Sequence, residues 1–237
     1  MAIAVCTVPP ILDNTDLWLH LAVGKYIWQR GTLPWFEPFS YTASDHPYID
    51  PSWLSSIGLY GLYASLGAPG LLLFRVLFVG ARFAFIMATA RLMRARLSII
   101  MVTLPVLLYV ITCRVVARPH LISAWFLVFE AWLCWGCRAG WFRWRWIWVL
   151  PLVHLVWVNV HGGHVEGLML IMLFAVGEAC HWGRARYGGV GRELALSRPK
   201  VLQLAALVPA SLIASCVTPY GPHLLKARQN ILYRGAE

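Results

Sequence analysis

Long, nearly unbroken apolar runs fill most of the chain, and the first fifty residues depart from that pattern. Runs at 70–90, 98–113, 119–136, 146–160, 164–180 and 201–217 approach the roughly 17–25 residues a helix needs to cross hydrocarbon. They predict six spans, the shorter of which need neighbours or local thinning of the bilayer. Ahead of them, residues 17–30 mix aromatic, aliphatic and polar positions as an amphipathic helix does, with Asp13 and Asp16 at its mouth. Residues 32–51 carry Pro34, Pro38, Pro47 and Pro51 among Tyr and Ser, which predicts an ordered but irregular connection. The run 52–66 is short for a span and is weakened by Ser52, Ser55, Ser56 and Ser65, so it is read as an amphipathic helix in the membrane plane. The predicted fold class is thus an all-α integral membrane protein. It has a helical bundle of about six spans and an N-terminal exoplasmic loop containing in-plane helices. Residues 1–66 hold a truncated first span and the loop, residues 67–237 hold the bundle, and together they form one membrane domain.

Composition agrees with that reading. Hydrophobic residues make up 59% of the 237 and charged residues 13%, about half of the roughly 25% usual in soluble domains. The net charge of +10 is compatible with nucleic acid, but most Lys and Arg flank apolar runs, where they set topology and meet lipid headgroups. Nucleic acid is therefore not an expected partner. Arg91, Arg94, Arg96, Arg138, Arg143, Arg145, Arg184, Arg186, Arg192, Arg198 and Lys200 fall on one side if the six spans are right, and the positive-inside rule makes that side cytoplasmic. With 52–66 in plane, the loop around Asp16 is exoplasmic, and so are the connections at 114–118, 161–163 and 218–223. Five of the ten acidic residues lie between Asp13 and Asp50, which sets this loop chemically apart. The Cys134-Trp-Gly-Cys137 pair has redox spacing without the βαβ surroundings such a motif needs, and the cysteines are read as small reduced hydrophobes.

Several polar groups admit both a structural and a chemical reading. Asp16 can N-cap the helix that follows, or act as a general base near a substrate hydroxyl. Trp18, Tyr26, Trp28 and Trp35 serve as interfacial anchors in either case. Arg118-Pro119-His120 opens a span, Pro119 suiting a first helical turn and Arg118 a snorkelling position. In Asn159-Val-His161-Gly-Gly-His164-Val-Glu166 the glycines allow a tight interhelical turn. Asn159 and His161 suit binding of sugar or phosphate. His161, His164 and Glu166 form an alternative divalent-metal set that Asp16 would complete. His154 is expected inside the bundle. Arg82 and Glu130 lie at similar depth within their runs and are expected to pair, since ionisable groups in spans need partners. Thr218-Pro-Tyr220-Gly-Pro-His223 ends the last run, with Tyr220 either a belt residue or the edge of a pocket.

Asp16 followed by an aromatic-rich helix and Gly31 resembles the first exoplasmic loop of the GT-C glycosyltransferases, such as the protein mannosyltransferases and the lipid A aminoarabinose transferase. More closely, the chain resembles a group of bacterial polytopic proteins with D-x-D-L-W-x-H-L-A-x-G, D/E-P-F-S-Y-T, R-P-H, N-x-H-G-G and N-P-Y-G. Here these are residues 13–24, with two residues in place of one between the acids, 37–42, 118–120, 159–163 and 218–221, where Thr218 replaces the Asn. The resemblance covers most of the chain. It implies a multi-pass protein of the bacterial cytoplasmic membrane that transfers a sugar from a polyprenyl-phosphate donor to an exoplasmic acceptor. Asp16 would be the catalytic base with Asp13 in support. Arg114, Arg118 and His120 would neutralise the donor phosphate, and Asn159, His161 and Tyr220 would bind substrate. Leu17 stands where many relatives carry a second acid. Only twelve residues precede Asp13, and the expectation is a fragment of a longer protein. The alternative expectation is a lipid or polysaccharide transporter, or an assembly scaffold, on a GT-C-like fold.

Overall fold

The structure, a computed structural model, describes residues 15–93, 95, 96, 98, 119–188 and 191–221. Asp13, Arg114, Arg118 and, apart from Ser98, the expected span 98–113 lie outside the described residues. Six α-helices are present among the described residues. They are α1 (Thr15–Arg30), α2 (Trp53–Leu92), α3 (His120–Arg138), α4 (Leu150–Val160), α5 (His164–Tyr187) and α6 (Arg198–Ala214). Short 3-10 turns occupy Trp144–Val149 and Arg192–Leu194. No strand occurs among the described residues. Among the described residues three helices are long and apolar enough to cross a membrane: Trp53–Arg91, His120–Arg138 and His164–Tyr187, with mean hydropathies of 2.1, 1.3 and 1.4. The apolar stretch Trp144–Val160 is shorter. The chain divides into two compact units, Met1–Trp125 and Phe126–Glu237.

In the first unit, α1 buries one stripe, Leu17, Leu21, Gly24 and Ile27, at the spacing that keeps residues on one helical face. Leu17 and Leu21 pack with Leu59 and Leu71 of α2, flanked by Tyr60, Tyr63 and Phe74. Edge-on ring contacts, Trp18 with Tyr63 and Trp28 with Tyr60, both at 6.2 Å between centroids, border the interface. Asp16 falls in the first turn of α1, which begins at Thr15, so it is not the cap that the sequence proposed. Its charge still complements the positive end of the helix dipole.

The loop 31–52 folds back on itself. The Glu37 N–H donates to the His46 carbonyl and the Tyr48 N–H to the Trp35 carbonyl, each at 2.9 Å. That is the ordered, irregular connection its prolines predict. α2 then joins two runs that the sequence treats as separate elements. They meet directly at Gly67, whose φ of 63° and ψ of −155° leave helical geometry, followed by Pro69. A glycine is needed there because a side chain is strained at that φ. The serines expected to weaken 52–66 bond internally. Ser55 Oγ donates to the Ser52 carbonyl at 2.8 Å and Ser65 Oγ to the Gly61 carbonyl at 2.9 Å, so neither hydroxyl opposes burial. Trp125 closes this unit, its ring N–H donating to the Phe78 carbonyl at 2.8 Å.

The second unit is built around Leu133, Cys134, Cys137, Ile147, Leu150, Ile171, Leu204 and Leu207, drawn from α3, the 3-10 turn, α4, α5 and α6. Pro151 in the first turn of α4 marks where the 3-10 turn gives way to α-helix. After α3 the chain turns back so that Phe142 packs on Trp132, with ring centroids 4.4 Å apart. Arg138, at the end of α3, donates from Nε to Glu178 of α5 at 2.7 Å and from a terminal nitrogen to the Leu194 carbonyl. Cys134 and Cys137 are buried free thiols, the state expected of them.

Candidate functional site

The described site residues fall in both units. In the first, Asp16 is exposed on the first turn of α1, a helix whose Trp18 and Trp28 rings are also exposed. One turn further along the same face is His20, which is half-buried and is the polar member of an otherwise apolar stripe. Its Nδ1 lies 3.0 Å from Ser56 Oγ. Ser56, fully buried, donates in turn to Asp50 Oδ2 at 3.2 Å. Asp50 Oδ1 accepts the Ser52 N–H at 2.8 Å, so this carboxylate caps the start of α2. Burial raises the Asp50 pKa above its ordinary 3.8, opposed by the Ser52 N–H, the His20 charge and the Ser56 hydroxyl.

A line of polar groups thus leads from the half-exposed His20 to a carboxyl that is 7% exposed. Gly24 makes it possible. A Cβ built there would overlap the Ser56 carbonyl oxygen, so only a glycine lets α1 approach α2 closely enough for His20 to reach Ser56. Where lipid is the solvent, helices associate through close fit and internal hydrogen bonds, and small residues at the contact serve that end. The sequence reading missed His20, Ser56 and Asp50 as chemistry. His20 was detectable as the polar residue on α1's buried stripe, and Asp50 as the acid just before a helix start. Nothing in the sequence pointed to Ser56.

In the second unit, Asn159 is a clamp at the end of α4. Its amide donates to the Leu155 carbonyl at 2.9 Å and to the Val217 carbonyl, just past α6, at 3.0 Å. His161 Nδ1 accepts the Gly163 N–H at 3.0 Å, and His164 Nδ1 lies 3.5 Å from the His161 carbonyl. These contacts shape the turn between α4 and α5. Among the described residues no group of three or more His, Cys, Asp and Glu is placed to hold a metal ion, so the structure does not assemble His161, His164 and Glu166 into a ligand set. Tyr220 is buried at 1% exposure, and His120 is the first residue of α3.

Deeper in this unit, Glu130 and His154 meet. Glu130 Oε2 lies 3.6 Å from His154 Nε2, and both side chains are fully buried. His154 stacks on Trp157 with ring centroids 5.5 Å apart, and Gly167 leaves room for the carboxylate, since a Cβ there would be 2.6 Å from Glu130 Oε2. His154 is in the interior as expected, and its neighbour is Glu130. Arg82 is itself buried, in the first unit.

Among the described residues, fold and site together define a helical protein with three helices long and apolar enough to cross a membrane, and with buried polar contacts in both units. Comparison with protein families, with curated proteins and with solved structures finds no match for this chain.

Proposed function

We propose that the protein is a multi-pass enzyme of the bacterial cytoplasmic membrane, with about six spans, that transfers a sugar from a polyprenyl-phosphate donor to an exoplasmic acceptor. Asp16 is its general base. The observation that carries this reading is the setting of Asp16. It is an exposed carboxylate in the first turn of α1, a helix that also exposes the rings of Trp18, two residues on, and Trp28. Those rings suit the headgroup layer, and a base held at that level meets a hydroxyl acceptor from water and a donor whose tail stays in lipid. The phosphate-binding roles of Arg114 and Arg118 and the supporting role of Asp13 belong to the same proposal.

The test is transfer of radiolabelled sugar from a polyprenyl-phosphate donor in membranes carrying the protein. Asp16→Asn is expected to lower the rate by about 100- to 10,000-fold, the usual contribution of a positioned base. An unchanged rate removes Asp16 from the role.

A second reading, transport, is favoured by the buried Glu130–His154 pair, because ionisable groups inside spans commonly mark ion or proton pathways. Proton-coupled uptake in vesicles that Glu130→Gln abolishes, with no transferase activity, would decide for it.

A further inference from the structure

The hydrogen bonds behind Asp16 have a direction. With Asp50 ionised, the single hydrogen of the Ser56 hydroxyl points to Oδ2 at 3.2 Å. Ser56 Oγ must then accept at its contact with His20, so His20 Nδ1 carries the hydrogen across the 3.0 Å separation and, in the neutral ring, Nε2 keeps the lone pair. Protonating Asp50 reverses every link. The carboxyl donates from Oδ2 to Ser56, Ser56 donates to Nδ1, and the hydrogen on the ring moves to Nε2. The two states differ by one proton, taken up at Nε2 of His20 and stored on Asp50. The Ser52 N–H on Oδ1 leaves Oδ2 as the oxygen that receives it.

We propose that His20, Ser56 and Asp50 form a proton relay that drains the catalytic carboxylate Asp16. This rests on the reading of Asp16 as base. Asp16 and His20 are four residues apart on α1, so their Cβ atoms are neighbours on one face, about 6 Å apart. In the transfer step the acceptor O–H bond breaks and its proton goes to Asp16. The acceptor oxygen bonds to the sugar's anomeric carbon, and the bond from that carbon to the donor phosphate breaks, the electron pair leaving with the polyprenyl phosphate. Asp16 then passes its proton to His20 Nε2, the Nδ1 hydrogen passes to Ser56, and the Ser56 hydrogen passes to Asp50 Oδ2. Asp16 is ionised again at once, and before the next turnover the stored proton returns through the same groups to His20 Nε2 and on to water, which resets the network. His20, Ser56 and Asp50 are positioning residues in this scheme and touch no substrate. Burial of Asp50 favours its protonated form, which suits a terminal acceptor.

The test is nitrogen NMR of the full chain, labelled with 15N-histidine, in phosphatidylcholine nanodiscs without substrate. The His20 signals are identified by their loss in His20→Gln. At a pH where the ring is neutral, the wild type is expected to show hydrogen on Nδ1 and a lone pair on Nε2. Ser56→Ala is expected to shift the population towards hydrogen on Nε2, the commoner tautomer of free histidine. Asp50→Asn reports on the same link if Ser56→Ala does not fold. A wild-type ring with its hydrogen on Nε2, or a tautomer population unmoved by both substitutions, overturns the relay. Asp16→Asn should abolish transfer and leave this signature in place, so failure of the enzyme reading and failure of the relay are distinguishable.

Discussion

Gly24 of α1 lies against the backbone carbonyl of Ser56 in α2, so close that a single methyl group on Gly24 would overlap that oxygen. The contact sets the spacing of the two helices and, one turn away, brings His20 to hydrogen-bonding distance of the Ser56 side chain. Packing and candidate chemistry in the first unit therefore share one contact.

Gly24→Ala is expected to destabilise the fold by about 1–3 kcal/mol, the usual cost of overpacking a tight contact. Gly58→Ala is the matched control. Gly58 also lies in a helix, but a Cβ there meets nothing within 4 Å, and alanine is the better helix former by about 0.8–1.0 kcal/mol. Thermal unfolding in detergent should move down for the first and stay or rise for the second. Equal shifts would remove Gly24 from this role.

Asp50 gives the first unit a pH dependence of definite sign. Its folded-state pKa is raised above 3.8, chiefly by burial and against the opposing effects of the Ser52 N–H, His20 and Ser56. The folded protein therefore holds this proton more tightly than the unfolded chain. The contribution to stability is complete below about pH 3.8 and is lost as pH rises through the raised value. Unfolding midpoints of the wild type relative to Asp50→Asn should thus fall as pH is raised above 3.8, at no more than about 1.4 kcal/mol per pH unit. Parallel profiles would show that Asp50 does not titrate across folding.

Glu130 and His154 should prove energetically coupled. Removing either leaves the other buried without its neighbour, at about 1–3 kcal/mol beyond the lost packing. Glu130→Ala and His154→Ala are each expected to lower stability, and the double variant by less than the sum, with a coupling energy of about 1 kcal/mol or more. Additive effects would show that the 3.6 Å approach carries no interaction.

Arg138 holds α3 to Glu178 of α5 and to the Leu194 carbonyl with two different guanidinium nitrogens. Lysine keeps the charge and three N–H donors but lacks the planar fork that spans the two acceptors from separate nitrogens, so Arg138→Lys should weaken at least one of the two contacts. Arg138→Ala leaves Glu178, only 12% exposed, without its partner. The expected order of stability is wild type, Lys, then Ala, with about 1–3 kcal/mol between the extremes. A lysine variant as stable as the wild type would assign the effect to charge alone.

The proposed orientation makes the loop around Asp45 exoplasmic, and that residue's side chain, 89% exposed, is a tolerant insertion point. A reporter active only outside the cytoplasm should be active there, and one active only inside should be silent. The reverse pattern contradicts the exoplasmic enzyme.

By itself the sequence determined that the chain is helical and apolar enough for a membrane, because hydrophobic run length and helical periodicity are local properties. It located α1, the proline-rich connection and the helix beginning at His120 to within a residue or two, and the start of the helix at His164, whose end at Tyr187 lies seven residues beyond the apolar run. Local pattern could not show that 52–66 and 70–90 meet at Gly67 without a loop, because one glycine at positive φ replaces what otherwise needs a turn. Tertiary structure alone decided the partners. Glu130 lies beside His154, a contact between two helices that no local pattern specifies. Ser56 joins His20 to Asp50 only because two helices cross at Gly24. Hydrogen-bond partners distant in sequence are fixed by packing, and there the absence of one side chain determines which polar groups meet.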